Sequence, residues 1–183
     1  MTEQSPVALP PTLVADLTIA PVEPALWRVY RGVRLAMLLD TPLAYGSTFA
    51  REVAFPDELW LERMRDSHGW LAFEGEQPVG AVTLFHAPDQ PIDEAHLVAM
   101  WVASHARGHG AADQLVAALL GHARQGGLRR VTLDVADGNA RAIGFYERVG
   151  FTRTGRTGVL PHQPGVTEFE MELVLRELPV GSG

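Results

Sequence analysis

The sequence predicts a single α/β domain with a mixed sheet, and three observations support this class. Apolar residues fall in short segments whose spacing changes between the strand period of two and the helix period of 3.6. Glycine, proline and asparagine stand at the boundaries of these segments. The 183 residues are 46% hydrophobic and 20% charged, as expected of one globular domain.

The first half of the chain predicts one strand, two helices and a hairpin. Residues 1–12 are expected to be a flexible lead-in, and partial alternation predicts a strand over 13–20. Helical spacing over 25–40 predicts a helix that ends before Pro42, followed by a loop in "LAYGSTF". Proline and two acids at Pro56-Asp57-Glu58 open a short second helix. Two apolar segments around a turn at 74–78 predict a β-hairpin.

The second half predicts alternating strands and helices. "HLVAMWVA" is apolar at nearly every position, as in a strand covered on both faces, and should be the most central strand. An apolar stripe at i, i+3 and i+4 from Ala112 predicts a helix ended by Gly126-Gly127. "VTLDV" is a strand, and the next helix is capped by Asn139 and ended by Gly150. "FTRTGRTG" and "TEFEMELVL" are the last two strands of a domain over 13–178, with a flexible tail over 179–183.

Charge and cysteine content narrow the function classes. A net charge of −7 opposes binding to nucleic acid or to an anionic membrane, because both repel an acidic surface. The chain has no cysteine, which excludes disulfides, thiolate metal sites and a cysteine acyl intermediate. No signal peptide is recognisable, so a cytoplasmic location is expected. His105 and His109 lack the neighbouring Glu of a zinc protease motif, and no metal is expected.

A turn of small residues opens the helix after the central strand: Arg107-Gly108-His109-Gly110-Ala111-Ala112. A helix N-terminus leaves its first N–H groups unpaired, and small residues let a polyanion such as a pyrophosphate approach them. The turn is not a P-loop, since no Lys-Ser/Thr pair follows Gly110. Asp113 stands where a dinucleotide fingerprint requires a small residue. The alternative is that small residues only let the helix pack close to the preceding strand.

Two motifs resemble the GNAT superfamily of acyl-CoA-dependent N-acyltransferases. The turn "RGHGAA" is similar to the family's Arg/Gln-x-x-Gly-x-Gly/Ala motif, and "NARAIGFYERVGF" is similar to its Asn-x-x-Ala-x-x-Phe-Tyr-Glu-x-x-Gly-Phe motif. The resemblance is close over residues 94–155, and "VRLAMLLDTPLAYGSTF" looks like the first helix and loop of many bacterial members. It implies a mixed, mostly antiparallel central sheet flanked by helices, with acetyl-CoA or coenzyme A as the cofactor.

The resemblance also implies site residues. The implied cofactor-binding residues are Met100, Trp101, Val102, Arg107, Gly108, His109, Gly110, Ala111, Ala112, Asn139, Ala142, Phe145 and Tyr146. The Tyr146 hydroxyl is expected near the sulfur, where it could give a proton to the departing thiolate.

The residue at the position of the family's general base differs from the family pattern. Many members carry Glu where this chain has His96. His96 could take the amine's proton directly, position a water, or be an ordinary strand histidine, and Glu94 is a second candidate for the base. Tyr45, Ser47 and Thr48 are candidates for the acceptor wall, although any tight loop uses such residues. Glu52, Glu58, Glu168 and Glu170 could attract an amine, but most are expected to be surface acids.

These observations predict an N-acetyltransferase that transfers acetyl directly from acetyl-CoA to a primary amine of a small molecule or peptide. Two alternatives stay open: a non-catalytic acyl-CoA-binding or sensing domain, suggested by His96, and an acetyltransferase of protein N-termini. Exposed edge strands make a homodimer plausible.

Overall fold

The structure is a computed structural model that describes residues 16–160 and 163–175. The predicted order of helices and strands is confirmed, with one addition: a one-turn helix begins at Phe49, at the end of the segment predicted as a loop. The predicted lead-in (1–12), the first residues of the predicted first strand (13–15) and the tail (179–183) lie outside the described residues. The elements are β1 (Leu17–Pro21), α1 (Trp27–Asp40), α2 (Phe49–Glu52), α3 (Asp57–Arg65), β2 (Ser67–Glu74), β3 (Gln77–Phe85), β4 (Glu94–Val102), α4 (Ala111–Gln125), β5 (Arg130–Ala136), α5 (Ala140–Val149), β6 (Thr152–Val159) and β7 (Thr167–Val174).

Seven strands form one mixed sheet in the order β1-β2-β3-β4-β5-β7-β6. All neighbouring strands are antiparallel except β4 and β5, which confirms the mostly antiparallel sheet. β4 is the fourth of the seven strands and therefore central, as predicted. The strand is less covered than expected of one buried on both faces, because five of the seven residues from His96 to Val102 are only partly buried.

The sheet opens between β4 and β5. Their parallel pairing ends at His96 and Thr132, although β4 continues to Val102 and β5 to Ala136. Past this point the two strands diverge, and α4 and α5 begin a few residues beyond their carboxyl ends. Two helix N-termini, each with a partial positive charge, therefore lie at the same fork.

A β-bulge in β4 lies at the fork. Ala81 pairs with Trp101 and Thr83 pairs with Val98, so two residues of β4 stand opposite one residue of β3. Ala99, inside the bulge, has a φ of 54°, the one positive φ at a non-glycine residue in the described part of the chain. A bulge bends its strand and interrupts the ladder of hydrogen bonds. The bulge therefore helps β4 to turn away from β5 beyond His96.

Helices cover both faces of the sheet. The predicted apolar stripe of α4 is confirmed, because Leu115, Val116, Leu119, Leu120 and Ala123 are all buried in the main core. On the other face, α1 packs Val33, Met37 and Leu38 into a second, smaller core cluster. α1, α2 and α3 together form a helical cover that lies over one face near β2 to β4.

A buried ion cluster joins the three helices of this cover. Glu52 of α2 has no exposed surface, and it accepts two hydrogen bonds from Arg34 of α1, at 3.0 and 2.7 Å. Arg63 of α3 donates to the same carboxylate at 3.0 Å. The expectation that Glu52 is a surface acid or one that attracts an amine is thus wrong. Burial opposes its ionisation, but the two guanidinium groups prevail and lower the pKa of Glu52 to about 2.

We expect Glu52→Gln to lower the free energy of unfolding by about 3 kcal/mol or more, because it leaves the buried Arg34 charge without its counterion. Urea unfolding at neutral pH measures the change, with the exposed Glu58→Gln on α3 as the matched control. The folded pKa lies below the ordinary 4.5, so the carboxylate stabilises the fold fully above pH 4.5 and loses its effect as pH falls towards about 2. A difference between wild type and variant that grows on acidification would contradict this account.

Candidate active site

A first cavity of about 530 Å³ lies at the fork, between the end of α1, β4, the start of α4 and α5. Most of the residues expected to bind the cofactor line it: Met100, Trp101, Val102, Arg107, Gly108, Gly110, Ala112, Asn139, Ala142, Phe145 and Tyr146. The structure does not bring His109 and Ala111 to this cavity. His109 is exposed, and Ala111 is buried beneath the first turn of α4. We refer to this space as the fork cavity.

The N-terminus of α4 is open towards the fork cavity. Gly108 and Gly110 have φ values of 86° and 88°, a region that side chains rarely adopt, and no atom lies within 4 Å of where a Cβ would stand. The first intrahelical bond runs from the Gln114 N–H to the Gly110 carbonyl at 3.0 Å, so the N–H groups before it have no partner within the helix. This geometry can bind an anion, and it matches the predicted diphosphate site.

Arg107, expected to contact the diphosphate, is held by the protein itself. Its Nε donates to the Val102 carbonyl at 2.8 Å, and its guanidinium also forms an ion pair with Asp40 at the end of α1. Asp40 accepts a further hydrogen bond from Trp101 Nε1 at 2.9 Å. The arginine therefore stands at the fork cavity with its orientation fixed by two neighbouring elements.

The start of α5 forms the opposite wall. Asn139 Oδ1 accepts from the Ala142 N–H at 3.1 Å, which confirms the predicted helix cap. Tyr146, one helical turn after Ala142, is 7% exposed. Burial, and then the neighbouring Tyr45, raises the pKa of Tyr146 well above its ordinary value, so the hydroxyl stays protonated at neutral pH.

A second cavity of about 630 Å³ lies between the helical cover and the sheet face at β4, β5 and β7. We call it the acceptor cavity. The two cavities share six lining residues: Ala44, Tyr45, Met100, Asn139, Ala142 and Tyr146. Tyr146 thus stands where the two spaces meet.

His96 lines the acceptor cavity and is bound at both ring nitrogens. Nδ1 lies 2.7 Å from the Thr132 hydroxyl, and Nε2 lies 3.2 Å from Asp134 Oδ2. Both partners belong to β5, which pairs with β4 at this position. These two partners fix the orientation of the ring. A ligand that exchanges a proton with His96 has to replace one of them.

The other candidate base is placed elsewhere. Glu94 does not line the acceptor cavity, and Arg130 binds its carboxylate at 2.9 Å. Glu168 of β7 does line it, close enough to Asp134 and His96 for their charges to affect its carboxylate. Burial, and then the Asp134 charge, raises the pKa of Glu168, while His96 partly offsets the rise.

The three residues expected in the acceptor wall have different positions. Tyr45 lines both cavities, and its hydroxyl donates to the Met100 carbonyl at 3.0 Å. Ser47 lines the acceptor cavity and is buried. Thr48 lines neither cavity, because its hydroxyl caps α2 by accepting from the Arg51 N–H at 3.3 Å.

Sequence reasoning missed Asp134 and the arginines of the helical cover. A signal for Asp134 exists: Thr132 and Asp134 alternate with buried Val131 and Leu133, which places both polar residues on the other face of the strand. The arginines carry no such signal, because charged residues on short helices are ordinarily solvated.

Within the described residues, no group of three or more His, Cys, Asp or Glu could hold a metal ion. None of the helices in residues 16–160 and 163–175 combines the length and apolar character needed to cross a membrane. The homodimer, the cytoplasmic location and the lack of nucleic-acid binding stay predictions.

Comparison with known proteins agrees with this geometry. The model of the acetyltransferase (GNAT) family matches residues 35–151. Human N-acetyltransferase 8B is 33% identical over 90 residues, which are 48% of this chain and 40% of that protein. Mycothiol acetyltransferase of Corynebacterium glutamicum is 37% identical over 89 residues, 48% of this chain and 29% of that protein. The chain therefore matches less than half the length of these relatives.

Solved structures share the fold over nearly their whole length. Ribosomal-protein-alanine N-acetyltransferase from Brucella melitensis has a TM-score of 0.70 and 25% identity, over 86% of this chain and 99% of that one. The acetyltransferase yncA from Salmonella typhimurium, solved with acetyl-CoA, has a TM-score of 0.73 and 17% identity, over 89% and 96%. Since the family model spans more than half of the chain and the fold agrees, the chain belongs to the acetyltransferase (GNAT) family, whose cofactor is acetyl-CoA.

Proposed function

We propose that this chain is an N-acetyltransferase that transfers an acetyl group from acetyl-CoA directly to a primary amine of a small molecule or peptide. One observation carries the proposal: the fork cavity and the acceptor cavity meet at Tyr146. A donor bound in the first cavity and an amine bound in the second would have their reacting ends at the same place. No cysteine is available to carry the acetyl group, which favours direct transfer.

The residues present fit acetyl-CoA. Its diphosphate is an anion suited to the open N–H groups of α4, and Gly108 and Gly110 allow its close approach. Arg107, although paired with Asp40, stands beside the same space and can offer the diphosphate its remaining N–H groups. Its pantetheine arm would follow the separated stretch of β4 from Met100 to Val102. When bound, acetyl-CoA supplies the acetyl group as an activated thioester.

Tyr146 is proposed to assist departure of the sulfur. Its hydroxyl is protonated at neutral pH and the residue lines both cavities, so the hydroxyl could donate a hydrogen bond to a developing thiolate. Free tyrosine and thiol have pKa values of roughly 10 and 8.5, and burial widens that difference. Hydrogen-bond donation is therefore favoured over complete proton transfer.

His96 is proposed to receive the proton of the amine, directly or through one water. His96 and Asp134 both line the acceptor cavity, and Nε2 of the histidine lies 3.2 Å from the Asp134 carboxylate. An amine, or a water beside it, would replace Asp134 as the partner of Nε2 and pass its proton to the imidazole. The alternative of a non-catalytic acyl-CoA-binding domain predicts no turnover with any amine.

We expect acetyl-CoA at about 100 times its Kd to stabilise the protein by about 2.7 kcal/mol, measured as a shift in thermal unfolding.

We expect Gly110→Ala to weaken acetyl-CoA binding at least tenfold, because the side chain strains a left-handed residue and covers the open N–H groups. Gly121→Ala is the matched control: it lies inside α4 with no atom within 4 Å of its Cβ position, and it should leave affinity unchanged. Equal binding by both variants would remove the diphosphate assignment.

We expect Tyr146→Phe to lower kcat about 10²-fold, since a single donor to the leaving group is lost. Release of free thiol from acetyl-CoA in the presence of an accepted amine measures the rate. Calorimetry should show an acetyl-CoA affinity close to that of the wild type. An unchanged kcat in a folded variant would exclude this role for the tyrosine.

We expect His96→Gln to lower kcat by about 10²-fold or more, because glutamine fills the space but cannot take a proton. The same thiol-release assay measures it, and His105→Gln serves as the control because His105 is exposed and lies outside both cavities. A variant that keeps wild-type rates across the pH range would mean that His96 has only a structural role.

A further inference from the structure

The acceptor cavity has a cationic wall formed by the helical cover. Arg34, Arg51 and Arg63 line it, one from each of α1, α2 and α3. We call these three residues the arginine wall. Their side chains enter a cavity that an amine acceptor, itself a cation before it loses its proton, would have to share.

Internal partners neutralise only part of the arginine wall. All three guanidinium nitrogens of Arg34 have partners. Nε and one terminal nitrogen bind Glu52, and the other terminal nitrogen lies 3.3 Å from the sulfur of Met37. Arg63 gives only one nitrogen to Glu52, and its side chain is 40% exposed. Arg51 forms no ion pair with the described residues. Glu52 thus balances one of these three positive charges. Asp66, the exposed residue that follows α3, adds one negative charge to the lining.

A buried hydroxyl in the same cavity also lacks a partner. Ser47 is 8% exposed, lines the acceptor cavity, and its Oγ has no hydrogen-bond partner among the described residues. An unpaired buried hydroxyl costs about 1–3 kcal/mol, which a ligand oxygen would recover once rotation of the Ser47 side chain brings Oγ to the cavity surface. Ser47 lies four residues before Arg51, so the serine and the arginine border the cavity from the same short segment.

The sheet side of the cavity has the opposite charge. Asp134 of β5 and Glu168 of β7 line it beside His96. The cavity is therefore bipolar, with cations contributed by the helices and carboxylates contributed by the sheet. A molecule that carries both an amine and an acid would find a partner for each.

We propose that the acceptor is a small amine that also carries a carboxylate, as an amino acid does. Its carboxylate binds Arg51, Arg63 and the Ser47 hydroxyl, and its amine faces Asp134 and His96. This inference rests on the proposed N-acetyltransferase function. Arginine binds carboxylates through paired, charge-assisted hydrogen bonds, and the free nitrogens of Arg51 and Arg63 are suited to this contact.

The test compares L-amino acids with their primary carboxamides, which have the same shape and amine but no negative charge. With acetyl-CoA and thiol release as the assay, we expect the best amino acid to exceed its amide at least tenfold in kcat/KM, mainly through KM. Calorimetric titration of the same pair in the presence of coenzyme A should show the same preference in Kd.

Variants of the arginine wall test which arginines bind the acceptor's carboxylate. Arg51→Gln should lower the acid-to-amide ratio of kcat/KM at least tenfold, and Arg51 is outside the Glu52 cluster, so the fold does not depend on it. Arg63→Gln should have a similar effect. Arg65→Gln, also on α3 but exposed and outside the cavity, should leave the ratio unchanged.

The outcomes separate the two proposals. Equal turnover of acids and amides, or a preference for peptides with a free N-terminus, would overturn the carboxylate site and leave the N-acetyltransferase proposal standing. An unchanged ratio in both Arg51→Gln and Arg63→Gln would also overturn it. Acetyl-CoA binding with no turnover of any amine would overturn the proposed function, and this inference with it.

Discussion

The separation of β4 from β5 is the constraint on which the site depends. Backbone groups in a sheet are normally satisfied by the neighbouring strand, and here that neighbour is lost beyond His96 and Thr132. The bulge at Ala99 helps to turn β4 away. An extended ligand can then take the place of a strand, and the N-terminus of α4 lies at the end of its path. The fork cavity and the acceptor cavity are the two sides of this one opening.

Charge is distributed unevenly around the opening, in a chain whose net charge is −7. The ion cluster around Glu52 holds three helices together and at the same time leaves a positive excess towards the acceptor cavity. The sheet face across the cavity is acidic, and only Asp134 of its carboxylates contacts His96. A molecule bound between the two walls would itself shield these charges from water and so strengthen their effect on it.

Tyr146 connects the two halves of the site through its position. It is nearly buried, it lines both cavities, and the residues that share this property come from the α1–α2 connection, β4 and the start of α5. A hydroxyl fixed in such a place needs no rearrangement to act as a donor, which is the condition under which a single hydrogen bond has a large effect on a rate. Arg107 is held differently, by polar contacts with Asp40 and the Val102 carbonyl.

Local sequence alone determined the order of helices and strands, the apolar stripe of α4, the Asn139 cap, the Gly150 stop and the bare turn at Gly108 and Gly110. These features depend on residues within a few positions of one another, and their physics is visible in the sequence. Only the tertiary structure decided that Glu52 is buried rather than solvated, that Asp134 meets His96, and that Arg107 binds Asp40. The last two residues are 67 positions apart in the chain. Such contacts follow from how helices pack on a divided sheet, and no local pattern records that packing.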